Sequence, residues 1–402
     1  MWAARDNFPS RVMEAMFVMF KRFRAVTAAA VLAAFSLGNV ANGATGASGP
    51  TAAKIGVIIA AVGPVADWGT ALRRASELAI ADYNAGGGYE GRPVEAVYCE
   101  NEGKPERAIE CATKLIQENK VVALVGGAPS GSALAMLNVP QDQKVPYMNT
   151  SSATSITTRY KDIPGNYIFR GVAPDSAQFD ALLNWAKSRH FTRLGLLSDT
   201  TGYGSDAKKD FDREAKARGF IVTDEESFAI TDTDMTPQVE KMRASKPDAV
   251  LVYTIGGPAA RVLESARKIG YAPNWAGPWI FAAADFRRLA GADSNGLHVS
   301  VPFTEGATKS LAAFHERMIR TYREDPMGVY TPLAYDAITL VLQALRRSGP
   351  NPQKLRDAIE STSGFHGITN IPSHPFTSSD HDSLHPDNII VGVMHDGRVV
   401  KQ

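Results

Sequence analysis

From Ile55 onward, short apolar runs alternate with longer segments whose apolar residues recur every three or four positions. The runs near 55–60, 93–98, 121–125 and 145–149 have the length and composition of buried strands, and segments 68–84, 105–118 and 131–142 have helical spacing. In the first of these helices Leu72, Ala75, Leu78, Ala79 and Tyr83 share one face, and Gly86 to Gly88 stop it. Alternation of this kind predicts a parallel sheet covered on both faces by helices. After Phe169 and Arg170 the rhythm restarts, with helices at 175–189, 204–218, 236–245 and 257–269 and strands at 193–198, 220–227, 248–254, 275–280 and 296–301. The chain is therefore expected to be α/β, with two Rossmann-like lobes in series. Three later helices, near 307–323, 332–347 and 352–361, bring no parallel strands and are most easily added to the first lobe. A Pro, Ser and His-rich stretch at 371–387 and a final strand near 388–394 follow, so the chain should cross between lobes more than once.

Composition narrows the class. The 402 residues are too many for one ordinary core. Lys plus Arg, 43, balances Asp plus Glu, 42, so no basic excess draws the chain to nucleic acid or an anionic membrane. Residues 21–37, KRFRAVTAAAVLAAFSL, place Lys21, Arg22 and Arg24 before a short Ala-rich apolar run that lapses into small residues. That is the layout of a secretory signal peptide, and the run is too short for a strong membrane span. Residues 1–47 are read as signal and N-terminal extension, with cleavage between Ala41 and Ala47 and Met19 as an alternative start. A periplasmic destination is oxidising and suits a disulfide between the two cysteines, Cys99 and Cys111; two buried thiols are the alternative.

Motifs of chemistry are sparse. Gly86, Gly88 and Gly91 match G-x-G-x-x-G, but they follow a helix and precede a strand, the reverse of a dinucleotide site, and read as a turn. There is no G-x-S-x-G elbow, P-loop or H-E-x-x-H, and no nucleophile, base and orienting acid can be assembled, so neither enzyme nor cofactor is expected. His366, His374, His381 and His385 follow no ligand spacing, and no metal is expected. Two loops are more suggestive. GGAPSGSALAM, 126–136, runs from a strand into a helix with Ser130 and Ser132 near the helix start, where free N–H groups suit a carboxylate. A plain N-cap would use the same residues. NTSSATSITT, 149–158, again ends a strand with hydroxyl residues, which are also common in turns. Side by side, the two loops would surround one small ligand with donors.

At these residues the chain resembles the extracytoplasmic substrate-binding proteins of branched-chain amino acid type ABC importers. The marks are KIGVIIAAVGPVADWG, AIADYNAGGGYEGRPVEAVY, PERAIECATKLI, VALVGG, DTTGYGSDAKKDF, KPDAVLVY and TPLAYDAITLVLQAL, in order from Lys54 to about Gln402. The resemblance implies a type I periplasmic binding fold, two lobes joined by three hinge crossings near 170–174, 300–304 and 383–388. Lobe 1 would comprise 54–172 and 303–384, and lobe 2 would comprise 173–302 and 385–402. It implies a carboxylate site at Ser130, Ser151, Ala153 and Thr154, with Tyr203 closing from the second lobe. Trp68 would sit as an aromatic lid and Tyr330 at a side-chain pocket.

One departure matters. Amino acid binders of this family commonly hold the ligand's α-ammonium with an acid just after a Gly-Pro, whereas GPWIFAAAD puts Trp279 there, with Asp285 six residues on as a substitute. Trp68, Tyr203, Trp279 and Tyr330 would instead form an aromatic box for a planar carboxylate. The expected function is an exported, monomeric solute-binding component that captures an amino acid or aromatic acid and delivers it to an ABC transporter permease. A ligand-sensing module of a receptor or regulatory system is the rival reading.

Overall fold

The computed structural model describes residues 49–304, 306–323 and 328–401. The expected signal segment lies outside them. Five parallel strands, β1 (Ala53–Ile59), β2 (Val94–Glu100), β3 (Ala123–Gly126), β4 (Tyr147–Asn149) and β5 (Ile168–Arg170), form one sheet in the order β2-β1-β3-β4-β5. Ile55, Val57, Ile58 and Ile59 of β1 are all buried, because helices cover both faces of the sheet. The second sheet runs β12-β11-β10-β9-β8-β6-β7. Its parallel part is β6 (Arg193–Asp199), β7 (Ile221–Phe228), β8 (Ala249–Tyr253), β9 (Asn274–Gly277) and β10 (His298–Val301). β11 (Ile390–His395) and β12 (Arg398–Lys401) return to it as an antiparallel hairpin.

The elements follow the apolar periodicity except where a local rule cuts them. The expected helix 131–142 is two pieces, Ser130–Met136 and Asn138–Asp142, because Pro140 has no N–H to offer the Met136 carbonyl. The strand expected to reach 280 stops at Gly277, since Pro278 cannot donate to the ladder, and Trp279–Ala282 coil into a 3₁₀ turn. β5, β12 and the helix Ala284–Ala290 lie beyond the periodic reading, the strands being only three and four residues long. Asp396 and Gly397 make the β11–β12 turn with φ of 47° and 73°, the left-handed pair that a two-residue hairpin requires.

The chain passes from the first sheet to the second after β5, returns after β10, and passes over again before β11. Asn370 ties two of these passages, donating to the carbonyls of Pro302 and Asn388 at 2.8 Å each. Helix Tyr330–Ser348 packs on helix Ala66–Ala85 and so belongs beside the first sheet. The largest apolar cluster runs through both lobes, with Trp68 and Tyr330 meeting Trp279 and Ile280.

Cys99 in β2 and Cys111 in helix Pro105–Gln117 are disulfide-bonded. Thiol titration of unreduced mature protein should therefore find no free thiol, and a Cys99→Ser/Cys111→Ser variant should lose about 3 kcal/mol in denaturant titration, the loop-entropy value for so short a loop. Two reactive thiols would show the bridge to be absent.

Candidate functional site

Three loops at the carboxyl ends of β1, β3 and β4 meet beside the second lobe. After β1, the Glu100 carboxylate accepts the Ala61 N–H at 2.9 and 3.1 Å and the Glu102 N–H at 2.9 Å, which aims the Gly63–Val65 turn and brings Trp68 to the cleft. After β3 the chain turns at Gly126, φ 103°, where a Cβ would stand 2.3 Å from the Ile58 carbonyl oxygen. That turn delivers Ser130. Its hydroxyl is not a cap: Pro129 occupies the cap position, and Ser130 Oγ instead accepts the Ala153 N–H at 3.3 Å across to the next loop.

The third loop, Asn149 to Ser155, is built from behind. Asn149 folds it into an Asx turn, accepting the Ser151 N–H at 3.1 Å and donating to the Ser151 carbonyl at 2.6 Å. Arg170, fully buried at the end of β5, gathers its carbonyls: Nη1 donates to Ser151 at 3.3 Å, Ser152 at 2.6 Å and Ala153 at 2.9 Å, and Nη2 to Thr154 at 3.3 Å. Nη2 also reaches Thr157 Oγ1 at 2.6 Å, and Nε pairs with Asp382 at 2.7 Å. Fixing the carbonyls rearward leaves the hydroxyls on the cleft side. The sequence reading passed over Arg170; a cation ending the apolar run YIFR was the available signal. His381 is likewise structural, bonded to the Ile168 carbonyl at 2.8 Å and Glu360 at 3.0 Å and stacked on Phe169.

The three loops and the second lobe line a small cavity of about 30 Å³. Ser130, Ser151 and Ser152 supply its hydroxyls; Trp68, Tyr203 and Trp279 supply aromatic walls; Val65, Ala128, Pro129, Ile255 and Ile280 complete it. Ser151 Oγ is buried with no protein partner. Among the described lining residues none is acidic.

The residues named from the sequence divide accordingly. Trp68, Ser130, Ser151, Tyr203 and Trp279 line the cavity. Ala153 reaches it only through the N–H held by Ser130. Thr154 does not line it, its hydroxyl being taken by the Ser176 N–H at 3.0 Å. Tyr330 stands one layer back, 4.7 Å from Trp68 and 5.7 Å from Trp279 by ring centroids, with its hydroxyl bonded to Thr150 at 2.9 Å. Trp68 and Trp279 meet edge to face at 5.1 Å, so three rings of the expected box touch, while Tyr203 neighbours Tyr253 instead. Asp285 lies in a separate groove with Asp67, Arg261 and Arg288, and burial pushes its carboxyl up.

Behind the cavity is a carboxyl the sequence reading did not single out. Asp175 is buried where β5 leads into helix Asp175–Ser188, with Oδ1 accepting from Gln178 at 3.1 Å and Oδ2 unpartnered. Burial, then the nearby Asp210, pushes it well above the usual carboxylate range against the opposing pull of Arg170. Burial and the Asp175 charge likewise push the Tyr203 hydroxyl up.

A family model described as periplasmic binding protein matches residues 52–391. A Pseudomonas aeruginosa protein named as leucine-, isoleucine-, valine-, threonine- and alanine-binding is 25% identical over 314 residues, 77% of this chain and 82% of its own. The Leu/Ile/Val-binding protein of Escherichia coli is 23% identical, over 73% of this chain and 79% of its own. Among solved structures, the branched-chain amino acid transporter substrate binding protein LivJ of Streptococcus pneumoniae, in complex with isoleucine, superposes with a TM-score of 0.74 at 24% identity, covering 87% of this chain and 98% of its own. A type 1 periplasmic binding protein of Bordetella pertussis gives 0.78 at 22%, covering 88% and 100%. At these identities the structures establish a shared fold, α/β with parallel sheets flanked by helices.

Two outcomes follow from the buried charges. Arg170→Met should cost about 3–5 kcal/mol in denaturant titration, because it strands Asp382 and the loop carbonyls; a loss under about 1 kcal/mol, the worth of a surface pair, would place the guanidinium in solvent. Because the folded pKa of Asp175 is raised, its stabilising contribution is complete below the unfolded value of about 3.9 and is lost as pH rises through the folded value. Asp175→Asn should therefore match the parent in melting near pH 4 and exceed it at pH 8; equal melting at both would mean that Asp175 is ionised in the native protein.

Proposed function

The chain belongs to the periplasmic binding protein family, and from that premise we propose that it is the exported solute-binding component of an ABC importer, closing on a small aromatic carboxylate and presenting it to a membrane permease. One observation carries the ligand class: the cavity lining offers three serine hydroxyls, a tyrosine and two tryptophan rings, and no acid among its described residues. An α-ammonium shut into that space would be desolvated without a counter-charge, at a cost of several kcal/mol. A planar carboxylate without an ammonium avoids that cost, and with the lobes parted to admit it its oxygens would meet Ser130 and Ser151 and its ring Trp68 and Trp279.

The relatives' names speak of branched-chain amino acids, and the chain differs from the amino acid binders' pattern at Trp279. Export rests on the signal-like residues 1–47, and delivery to a permease on the likeness to importer binding proteins. The reaction class is binding without chemistry. Selectivity then resides in a few polar groups and the shape of the aromatic wall.

A thermal-shift panel of aromatic carboxylates and all common amino acids, run on the mature protein, tests this. Aromatic carboxylates should stabilise, by about 2.7 kcal/mol at a hundredfold excess over Kd; stabilisation by leucine, isoleucine or valine and not by aromatic acids would overturn the ligand class. Ser130→Ala should weaken the best ligand by about 1–3 kcal/mol in calorimetry. Trp279→Glu, which supplies the missing counter-charge, should move the preference toward α-amino acids, and an unchanged panel would confine Trp279 to packing.

A further inference from the structure

The lobes also meet along a seam at the rim of the cavity. There the helix Gly202–Ala217 starts against the helix Ser130–Met136 of the other lobe. A Cβ on Gly202 would stand 2.9 Å from the Gly131 Cα, a contact with backbone that cannot swing aside, whereas a Cβ on Gly131 meets nothing nearer than 3.6 Å. The seam is thus backbone against backbone, and only on the Gly202 side does it refuse a side chain.

One turn along the same helix, Asp206 Oδ2 accepts the Ser155 N–H at 3.2 Å. Ser155 follows directly on the loop that carries Ser151, Ala153 and Thr154. Other donors from the second lobe reach the same loop: the Asp175 N–H to the Ser152 carbonyl at 2.7 Å, and the Ser176 N–H to Thr154 Oγ1 at 3.0 Å. Asp175 and Ser176 sit at the passage between the sheets, where a hinge motion moves them least. Asp206 is farther out, on the element that carries Tyr203 over the cavity, so its bond exists only when the lobes are together. Arg170 takes the loop's carbonyls from within the first lobe, and Asp206 takes an N–H from the second.

We propose that Asp206 is a positioning residue for ligand capture, fastening the Ser151–Ser155 loop to the second lobe on closure across a seam that requires glycine at 202. The assignment depends on how the lobes meet and not on which solute they enclose.

The test uses a pair at the opposite rim, Asp67 and Arg288, whose charged groups lie 3.9 Å apart across the cleft. In an Asp67→Cys/Arg288→Cys background, with the native disulfide intact, the rate of crosslinking by a short bismaleimide reports visits to the closed form without any added solute. Adding Gly202→Ala should slow crosslinking by about tenfold or more, and Asp206→Ala by severalfold, with Asp206→Asn, whose amide oxygen still accepts an N–H, restoring most of the rate. Circular dichroism melts of each variant separate slowed closure from lost folding. Failure of the parent pair to crosslink, or equal rates in all variants, would overturn the proposal. Because no ligand enters the readout, a failed solute panel leaves it standing, and a failed crosslink leaves the ligand class standing.

Discussion

A guanidinium taken out of water costs several kcal/mol unless each of its donors is answered. Arg170 is fully buried and is answered by Asp382, four consecutive carbonyls from Ser151 to Thr154, and the Thr157 hydroxyl. The same set of bonds determines where the loop after β4 can lie. With its carbonyls turned to the rear, the loop shows the cleft its Ser151 hydroxyl and the Ala153 N–H that Ser130 holds. Asp382 comes from the segment that runs beside β5, with the Arg170 N–H bonded to His381 at 2.9 Å and the Ser383 N–H to Arg170 at 3.1 Å. The Ser151–Thr154 loop and the segment that leads to the last passage between the sheets therefore share one ion pair, whose guanidinium is fully buried.

Opposite that polar edge the cleft is closed by rings. Trp68 from the first lobe and Trp279 from the second meet at 5.1 Å, with Tyr330 packed behind both. An interlobe contact of this kind adds apolar burial to closure and leaves little room for a charged group on that side. Two acids near the cleft are placed outside the cavity: Asp175 behind the wall, its carboxyl pushed up by burial, and Asp285 in a separate groove. Where a zwitterionic amino acid needs an answer at both its carboxylate and its ammonium, this cavity offers hydroxyls and no acid among its described lining, and this is the physical content of the proposed ligand class.

Much of the fold was legible because its signal is periodic. Helices such as Ala66–Ala85 bury one face, which repeats with the helical period, and strands such as β1 and β8, buried on both faces, read as short continuous apolar runs between them. The misplaced ends trace to prolines at 140 and 278, whose missing N–H acts at one residue and leaves no periodic trace. β5 and β12 are too short to show a period at all. The site was legible in part: the hydroxyl loops of Ser130 and Ser151 stood out by their residues and their place after strands, whereas Trp68, Tyr203 and Trp279 were named only through the family resemblance. Arg170 was not, because what gives it meaning is Asp382, 212 positions away.

Local propensity and the spacing of apolar residues suffice for the alternation of elements, the two-lobed α/β class and the loops where donors gather. What those donors do is set by packing between distant segments. Ser130 could cap its own helix or reach a neighbour, Thr154 could face the cleft or bond Ser176, and Trp279 could line the cavity or fill a core. The polar choices depend on which distant backbone group comes within hydrogen-bonding reach, and that of Trp279 on which rings pack beside it. Those neighbours are set by the packing of one lobe against the other, which no single segment encodes.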